Sequence, residues 1–162
     1  MQSSTRVLAK QHRYTRDSSA RLEAESVLNP MRILLAEDDA YMRSLVASTL
    51  RADGYDVVEA ENGSDLLDGI DELLLWNRDG VALDLVISDV RMPGRSGLEV
   101  LAEMRRSDWA TPVILITAFG DRALHEEAAR LGTVAVLDKP FSMEKLRKTV
   151  KGLLGGGRQA VE

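Results

Sequence analysis

Residues 83–97 read LDLVISDVRMPGRSG, a short apolar run that ends in an acidic residue and a turn. Val86 and Ile87 have high strand propensity, so this run predicts a buried β-strand that ends at Asp89. The proline and the two glycines that follow are typical turn residues, so the chain should leave the sheet directly after Asp89. A carboxylate at the end of a buried strand needs a reason, and Asp89 is therefore a candidate functional residue.

The composition indicates one ordinary domain with tails. The chain has 162 residues, of which 44% are hydrophobic, and this is enough for one core. No stretch approaches the roughly 20 uncharged residues of a membrane helix, and the N-terminus lacks the apolar run of a secretory signal. There is no cysteine, which excludes disulfides and thiolate metal sites. We therefore expect a cytoplasmic protein that does not bind membranes.

The formal net charge of −5 is unevenly distributed along the chain. Residues 1–30 carry five Lys or Arg and three acidic residues, whereas residues 142–162 carry five and two. The segment 31–141 therefore has a net charge of about −10. An acidic segment suits a cation better than a nucleic acid, so we expect no direct nucleic-acid binding.

Hydrophobic periodicity divides the chain into three parts. Residues 1–30 are polar and predict a flexible N-terminal arm with one short helix near 20–28, and residues 155–162 predict a C-terminal tail. Between them, residues 31–154 alternate between short apolar runs and stretches of helical periodicity. The predicted strands cover residues 33–36, 55–60, 83–88, 113–117 and 134–137, and the predicted helices cover 42–50, 64–76, 97–106, 121–131 and 142–154. Aliphatic strands joined by helices indicate an α/β fold with a parallel sheet covered on both faces.

Polar residues follow the ends of four of the predicted strands. They are Glu37, Asp38 and Asp39 after the first strand, Asp89 after the third, Thr117 at the end of the fourth, and Asp138 and Lys139 after the fifth. In an open parallel sheet, ligands collect at the carboxyl ends of the strands. Asp38, Asp39 and Asp89 would repel one another in one pocket, and a divalent cation would relieve that repulsion. An all-oxygen site of this kind suits Mg²⁺.

Lys139 and Thr117 would complete the site with a positive charge and a hydroxyl donor. Mg²⁺, an ammonium group and a hydroxyl around a carboxylate are what transfer of a phosphoryl group onto that carboxylate requires. An aspartate can be the nucleophile in such chemistry, and the product is then an acyl phosphate. These residues therefore predict that Asp89 is phosphorylated.

Four segments together resemble one known family, the response-regulator receiver domain of two-component and phosphorelay signalling. The segments are ILLAEDDAYMRSLV (33–46), LDLVISDVRMPGRSGLEVL (83–101), VILITAFG (113–120) and VLDKPFS (136–142). The match covers residues 31–154, and the four segments stand in the order that the family has. The resemblance, which extends to chemotaxis regulators, implies a flavodoxin-like doubly wound sheet of five parallel strands in the order 2-1-3-4-5, with five helices.

The resemblance also implies a role for each candidate metal-site residue. Asp89 matches the phosphoacceptor. Asp38 and Asp39 match the acidic pair that holds Mg²⁺, Asp39 directly and Asp38 through water. The main-chain carbonyl of Arg91 matches the remaining protein ligand.

Two more residues match the family's switch machinery. Thr117 matches the hydroxyl that turns toward the phosphoryl group, and Lys139 matches the lysine that contacts it. The Lys139–Pro140 bond is commonly cis in the family. Val136 stands where the family often has an aromatic residue, so an aromatic swing cannot be the signal here. Arg91 and Phe119 flank the expected path of the hydrolytic water, and we expect their bulk to slow loss of the phosphoryl group.

The family resemblance implies a phosphorylation-controlled binding module rather than an enzyme with a separate substrate. Its donor would be a histidine kinase or a phosphotransfer protein, and it would catalyse only its own phosphorylation and dephosphorylation. The new charge would draw Thr117 inward and bias the face formed by residues 121–154. We expect that face to bind a downstream protein or to form a phosphorylation-dependent homodimer.

Two other functions stay open. The chain could be the receiver portion of a DNA-binding transcriptional regulator, which only the full gene would distinguish. A haloacid-dehalogenase-like phosphatase also uses a strand-end aspartate and Mg²⁺, but it requires an acidic residue two positions after the nucleophile. Arg91 stands at that position, which disfavours the phosphatase.

Overall fold

The aliphatic runs of the sequence form a five-stranded parallel sheet. The computed structural model describes residues 29–75, 82–107 and 109–155, together with positions 20, 21 and 24. The strands are β1 (Arg32–Ala36), β2 (Asp56–Ala60), β3 (Leu85–Asp89), β4 (Val113–Thr117) and β5 (Ala135–Asp138). They lie in the order β2-β1-β3-β4-β5, and every adjacent pair is parallel. This confirms the α/β class expected from the sequence pattern and the flavodoxin-like strand order that the family resemblance implied.

Five helices alternate with these strands. They are α1 (Ala40–Ala52), α2 (Gly63–Leu75), α3 (Gly97–Arg106), α4 (Arg122–Arg130) and α5 (Met143–Leu154). Asp39, Ser96, Asp121 and Ser142 cap the N-termini of α1, α3, α4 and α5 by accepting a main-chain N–H of the first turn. Short polar side chains at this position satisfy N–H groups that have no partner within the helix. The predicted starts at 121 and 142 therefore fall on caps, one residue before the helix proper.

The hydrophobic core consists of two layers, one on each face of the sheet. The layer under α1 and α5 includes Ile33, Leu35, Val46, Leu50, Ile87, Ile114, Leu146 and Val150. The layer under α2, α3 and α4 includes Leu34, Leu66, Ile70, Val86, Val100, Leu101, Met104 and Leu115. Neighbours such as Leu34 and Leu35 belong to opposite layers because successive side chains of a strand point to opposite faces. The central strands are consequently apolar at nearly every position.

Some of the sequence predictions concern residues outside this description. Residues Met1–Pro30 form a unit separate from Met31–Glu162, and positions 20, 21 and 24 within the first unit are helical. The other residues of 1–28 lie outside the described part of the chain, as do the loop 76–81 and the tail from residue 156 onward. Among the described helices, none combines the length and the hydropathy that a membrane span requires.

Gly97 lies where the end of β3 approaches the start of α3. Its main-chain N–H donates to the carbonyl of Val90 at 2.9 Å. A Cβ at this position would overlap the main-chain oxygen of Asp89 and would lie 2.9 Å from Ser88 Oγ. The absence of a side chain at residue 97 therefore allows the loop after Asp89 to fold back against the sheet.

We predict that Gly97→Ala destabilises the domain by about 1 to 3 kcal/mol, because the loop or the helix must move to remove the overlap. Gly152→Ala is the matched control, since Gly152 is exposed within α5 and a methyl group there would meet no other part of the domain within 4 Å. The control should gain about 0.5 to 1 kcal/mol from higher helix propensity. Urea unfolding at one pH measures both free energies. An unchanged unfolding free energy for Gly97→Ala would contradict the close approach.

Candidate functional site

Strand register brings acidic residues together at the carboxyl edge of the sheet. Ala36 of β1 pairs with Ser88 of β3, so the next residues, Glu37 and Asp89, leave the sheet side by side. One carboxylate oxygen from each of Glu37, Asp38 and Asp89 lies within 4.8 Å of the others. Glu37 and Asp89 are buried, with 1% and 5% of their surface exposed, whereas Asp38 is exposed. Two of the three acids predicted to hold the metal, Asp38 and Asp89, therefore lie together, and the third member of the cluster is Glu37.

Asp39 is not a member of this acidic cluster. Its carboxylate accepts the main-chain N–H of Met42 at 2.7 Å and so caps α1. Its own main-chain N–H donates to Glu37 Oε1 at 3.1 Å. Because α1 begins at Ala40, the side chain of Asp39 lies against the first turn of that helix rather than toward Asp89. The geometry thus favours Glu37 and Asp38, rather than Asp38 and Asp39, as the acidic pair beside Asp89.

Lys139 joins the two buried acids. Its ammonium donates to Asp89 Oδ2 at 2.8 Å and to Glu37 Oε2 at 3.0 Å. Its main-chain N–H donates to the carbonyl of Thr117 at 2.7 Å, which fixes the start of the loop after β5. The Lys139–Pro140 bond is cis, as the resemblance implied. One ammonium therefore compensates two carboxylates that have little contact with water.

Burial and the neighbouring charges shift the titration of this group. Burial raises the pKa of Glu37 from 4.5 to about 7, and the negative charge of Asp89 adds to the rise. The hydrogen bonds from Lys139 and from the Asp39 N–H oppose this rise without cancelling it. Burial lowers the pKa of Lys139, but the hydrogen bonds to Asp89 and Glu37 outweigh burial and leave it raised. Lys139 is therefore cationic at neutral pH, and Glu37 retains a proton more readily than an exposed glutamate.

Thr117 lies at the end of β4, and Phe119 and Arg91 lie on loops next to it. Thr117 is buried, and its Oγ1 accepts the main-chain N–H of Phe119 at 3.1 Å. The main-chain N–H of Arg91 donates to Asp89 Oδ1 at 3.1 Å, so each carboxylate oxygen of Asp89 has a donor. The Arg91 guanidinium lies 4.7 Å from the centre of the Phe119 ring, a cation–π contact between the two loops.

The donor set of the acidic cluster fits a hard divalent cation. Glu37, Asp38 and Asp89 offer only oxygen ligands, and one of the three side chains is open to solvent. Mg²⁺ prefers oxygen ligands and usually binds through one or two carboxylates while it keeps several waters. These three residues would hold it, and the main-chain carbonyl of Arg91 stays a predicted fourth ligand.

One contact near this edge was not anticipated from the sequence. His125 Nε2 of α4 lies 3.2 Å from Asp138 Oδ1 at the end of β5. Asp138 is in register with Thr117 across the β4–β5 pair. His125 and Asp138 are 13 residues apart, and no helix or strand periodicity predicts a contact at that spacing. The contact depends on how α4 packs on the sheet.

Comparison with known proteins identifies the family. The family model for the response regulator receiver domain matches residues 33–151. The chain belongs to the response regulator receiver domain family. The predicted receiver resemblance is thereby confirmed, and so is the assignment to two-component signalling, in which receiver domains interact with histidine kinases or phosphotransfer proteins.

Individual receiver proteins are similar over most of this chain. The transcriptional regulatory protein PdtaR of Mycobacterium tuberculosis is 40% identical over 118 residues, which are 72% of this chain and 53% of PdtaR. Sporulation initiation phosphotransferase F of Bacillus subtilis is 32% identical over 123 residues, 76% of this chain and 93% of that protein. The structure of the chemotaxis response regulator CheY4 of Vibrio cholerae has a TM-score of 0.65 and 28% identity, with 76% and 98% covered. The chain spans about half the length of PdtaR and of several other curated relatives.

We predict that the metal-free domain loses stability as the pH rises from about 4.5 to 7. In this window the unfolded chain releases the Glu37 proton while the folded state retains it, because the pKa of Glu37 is raised to about 7. The loss should be about 1 to 3 kcal/mol, and Glu37→Gln should remove it. Urea unfolding at several pH values in EDTA measures the slope.

Glu126→Gln serves as the control, since it removes an exposed carboxylate from α4. It should keep the wild-type slope. A Glu37→Gln variant whose stability falls with pH as steeply as that of the wild type would show that Glu37 does not titrate in this window.

Proposed function

We propose that this receiver domain accepts a phosphoryl group on Asp89 from a histidine kinase or a phosphotransfer protein. The observation that carries the proposal is the hydrogen bond from Lys139 to Asp89 beside the Glu37–Asp38–Asp89 cluster. A buried carboxylate with a lysine on one side and further oxygen ligands on the other has the groups needed for phosphoryl transfer. The domain would catalyse this transfer, and the later hydrolysis, only on itself.

The proposed reaction forms one bond at Asp89 and breaks one bond in the donor. A carboxylate oxygen of Asp89 attacks the phosphorus of a phosphohistidine, the bond from phosphorus to the imidazole nitrogen breaks, and its electron pair returns to the imidazole. The ammonium of Lys139 faces the charge carried by the phosphoryl oxygens, and the Arg91 N–H orients the second carboxylate oxygen. Mg²⁺ bound by the cluster would supply positive charge for the same oxygens.

The proposed output is a change in the face formed by residues 121–154. Thr117 precedes this segment, and its hydroxyl oxygen accepts the Phe119 N–H, so movement of the hydroxyl toward a phosphoryl group would break that bond. Val134 and Leu153 of this segment are 46% and 39% exposed. Light scattering with and without beryllofluoride would test the predicted homodimer, and an unchanged mass would count against it.

The cytoplasmic location of the protein stays a prediction.

A second candidate is the receiver portion of a DNA-binding transcriptional regulator. PdtaR of Mycobacterium tuberculosis and FixJ of Bradyrhizobium diazoefficiens are named transcriptional regulatory proteins, and this chain matches 53% and 56% of their lengths. On this view Asp89 has the same chemistry, and DNA binding would require residues beyond the receiver. The phosphatase alternative has less support, because the side chain at position 91 is an arginine that packs against Phe119.

We predict that acetyl phosphate and Mg²⁺ add one phosphoryl group to the wild-type domain and none to Asp89→Asn, which lacks the nucleophilic carboxylate. Intact-mass spectrometry measures the gain. The matched control is Asp68→Asn, which changes an exposed acid on α2 and should be phosphorylated as the wild type is. A phosphate-sized gain that persists in Asp89→Asn would refute the assignment of the phosphoacceptor.

We also predict that the Arg91–Phe119 pair slows hydrolysis of the phosphorylated form, since its two residues lie in contact on loops beside Asp89, where we expect the hydrolytic water to pass. Arg91→Ala and Phe119→Ala should each lose the phosphoryl group several-fold faster than the wild type, as followed by intact mass after removal of the donor. Tyr41→Ala, which removes an exposed aromatic from α1, is the control and should leave the rate unchanged. Decay of the wild-type phosphoryl group within seconds would contradict the prediction.

A further inference from the structure

Arg43 connects the acidic cluster to the neighbouring edge of the sheet. It lies on α1, and only 12% of its side chain is exposed. Its Nη1 donates to the main-chain carbonyl of Glu37 at 2.8 Å, and its Nη2 donates to Glu61 Oε1 at 3.1 Å. Its Nε lies 3.5 Å from Glu59 Oε2 of β2. One guanidinium thus joins the turn after β1 to two acids at the end of β2.

The bond to the Glu37 carbonyl acts on the two acids of the cluster at once. That carbonyl belongs to the peptide unit between Glu37 and Asp38, and a peptide unit is planar. A donor that fixes the carbonyl therefore fixes the plane from which both side chains depart. The main-chain N–H of Glu37 is held as well, by the carbonyl of Ala60 at 3.2 Å. The turn that presents Glu37 and Asp38 to Asp89 is consequently anchored on both sides of residue 37.

We propose that Arg43 is a positioning residue that holds Glu37 and Asp38 in the arrangement that binds Mg²⁺. The proposal rests on the proposed function, because it concerns the metal affinity of the same site. Arg43 touches neither the carboxylate oxygens of the cluster nor Asp89 in the contacts described above. It acts through the peptide unit, and Glu59 and Glu61 keep its guanidinium in place.

The charge of Arg43 makes the proposal easy to distinguish from an electrostatic effect. A cation near a cation site weakens metal binding by repulsion, so removal of Arg43 would tighten Mg²⁺ binding if charge were its only influence. Removal would weaken binding if Arg43 positions the turn. The two roles therefore predict changes of opposite sign.

Arg51 provides a matched control on the same helix. Its Nη2 donates to the main-chain carbonyl of Val57 at 2.8 Å, and its Nη1 lies 2.8 Å from Glu59 Oε1. Like Arg43, it binds one main-chain carbonyl and Glu59, but that carbonyl lies within β2 instead of the acidic turn. Arg51→Ala removes the same charge from α1 and a similar set of contacts, while it leaves the Glu37 carbonyl bonded.

The test is calorimetric titration with Mg²⁺ of the wild type, Arg43→Ala, Arg43→Lys and Arg51→Ala, together with thermal unfolding of each in EDTA. Arg43→Ala should weaken Mg²⁺ binding by about tenfold or more, the usual size of effect for residues that orient metal ligands. Arg43→Lys keeps a donor and the charge, so it should bind Mg²⁺ more tightly than Arg43→Ala. Arg51→Ala should retain the wild-type affinity. The Mg²⁺ concentration for half-maximal phosphorylation by acetyl phosphate should follow the same order.

Unchanged or tighter Mg²⁺ binding by Arg43→Ala would overturn the proposal, and so would an equal loss in Arg51→Ala. If thermal unfolding shows that Arg43→Ala is not folded, Arg43→Met, which keeps the length of the side chain but has no donor, is compared with Arg51→Ala by the same criterion. A wild-type domain that binds no Mg²⁺ or accepts no phosphoryl group would count against the proposed function instead. If the wild type binds Mg²⁺ and accepts a phosphoryl group, and Arg43→Ala binds Mg²⁺ with equal affinity, only the proposed role of Arg43 is wrong.

Discussion

The candidate site depends on one ammonium shared between two buried carboxylates. Lys139 donates to both Asp89 and Glu37, which are almost completely removed from water. Buried charges are costly to remove from water unless they are paired and hydrogen-bonded, so the two acids need this partner. Burial raises the pKa of Glu37 to about 7, and the hydrogen bond from Lys139 opposes that rise without cancelling it. The site has two buried carboxylates and one ammonium, so a divalent cation would add positive charge beside the acids.

The parallel sheet is what brings these groups to one place. In a parallel sheet all strands end at the same edge, so residues that follow β1, β3 and β5 meet there although 102 positions separate Glu37 from Lys139. Main-chain bonds between neighbouring strand ends, such as Lys139 to Thr117 and Val90 to Ile116, hold the loops in register. The core beneath has aliphatic side chains on both faces and gives the edge a rigid base. Stability of the fold and geometry of the site therefore depend on the same strands.

Several residues near the site combine a structural contact with a position beside the chemistry. Asp39 caps α1 while its N–H binds Glu37. Arg43 connects the acidic turn with β2. Thr117 closes the turn to Phe119 with the hydroxyl that we predict to turn toward the phosphoryl group. In each case a local hydrogen bond holds a group on which phosphoryl transfer, or the conformational change that follows it, would depend. Phosphorylation of Asp89 would then be passed on when such a group exchanges one hydrogen-bond partner for another.

Hydrophobic periodicity was enough to predict the α/β class, and the family resemblance supplied the strand order, because periodicity and strand-end motifs are local patterns. The same patterns placed Asp89 and Lys139 at strand ends, where the structure joins them. The position of Glu37 beside Asp89 and the capping role of Asp39 became apparent only in the folded domain. The reason is that three consecutive acids look alike in a sequence, whereas strand register and the start of α1 give each a different direction. The contacts of Arg43 likewise depend on how α1 packs against β2, and no local pattern encodes that packing.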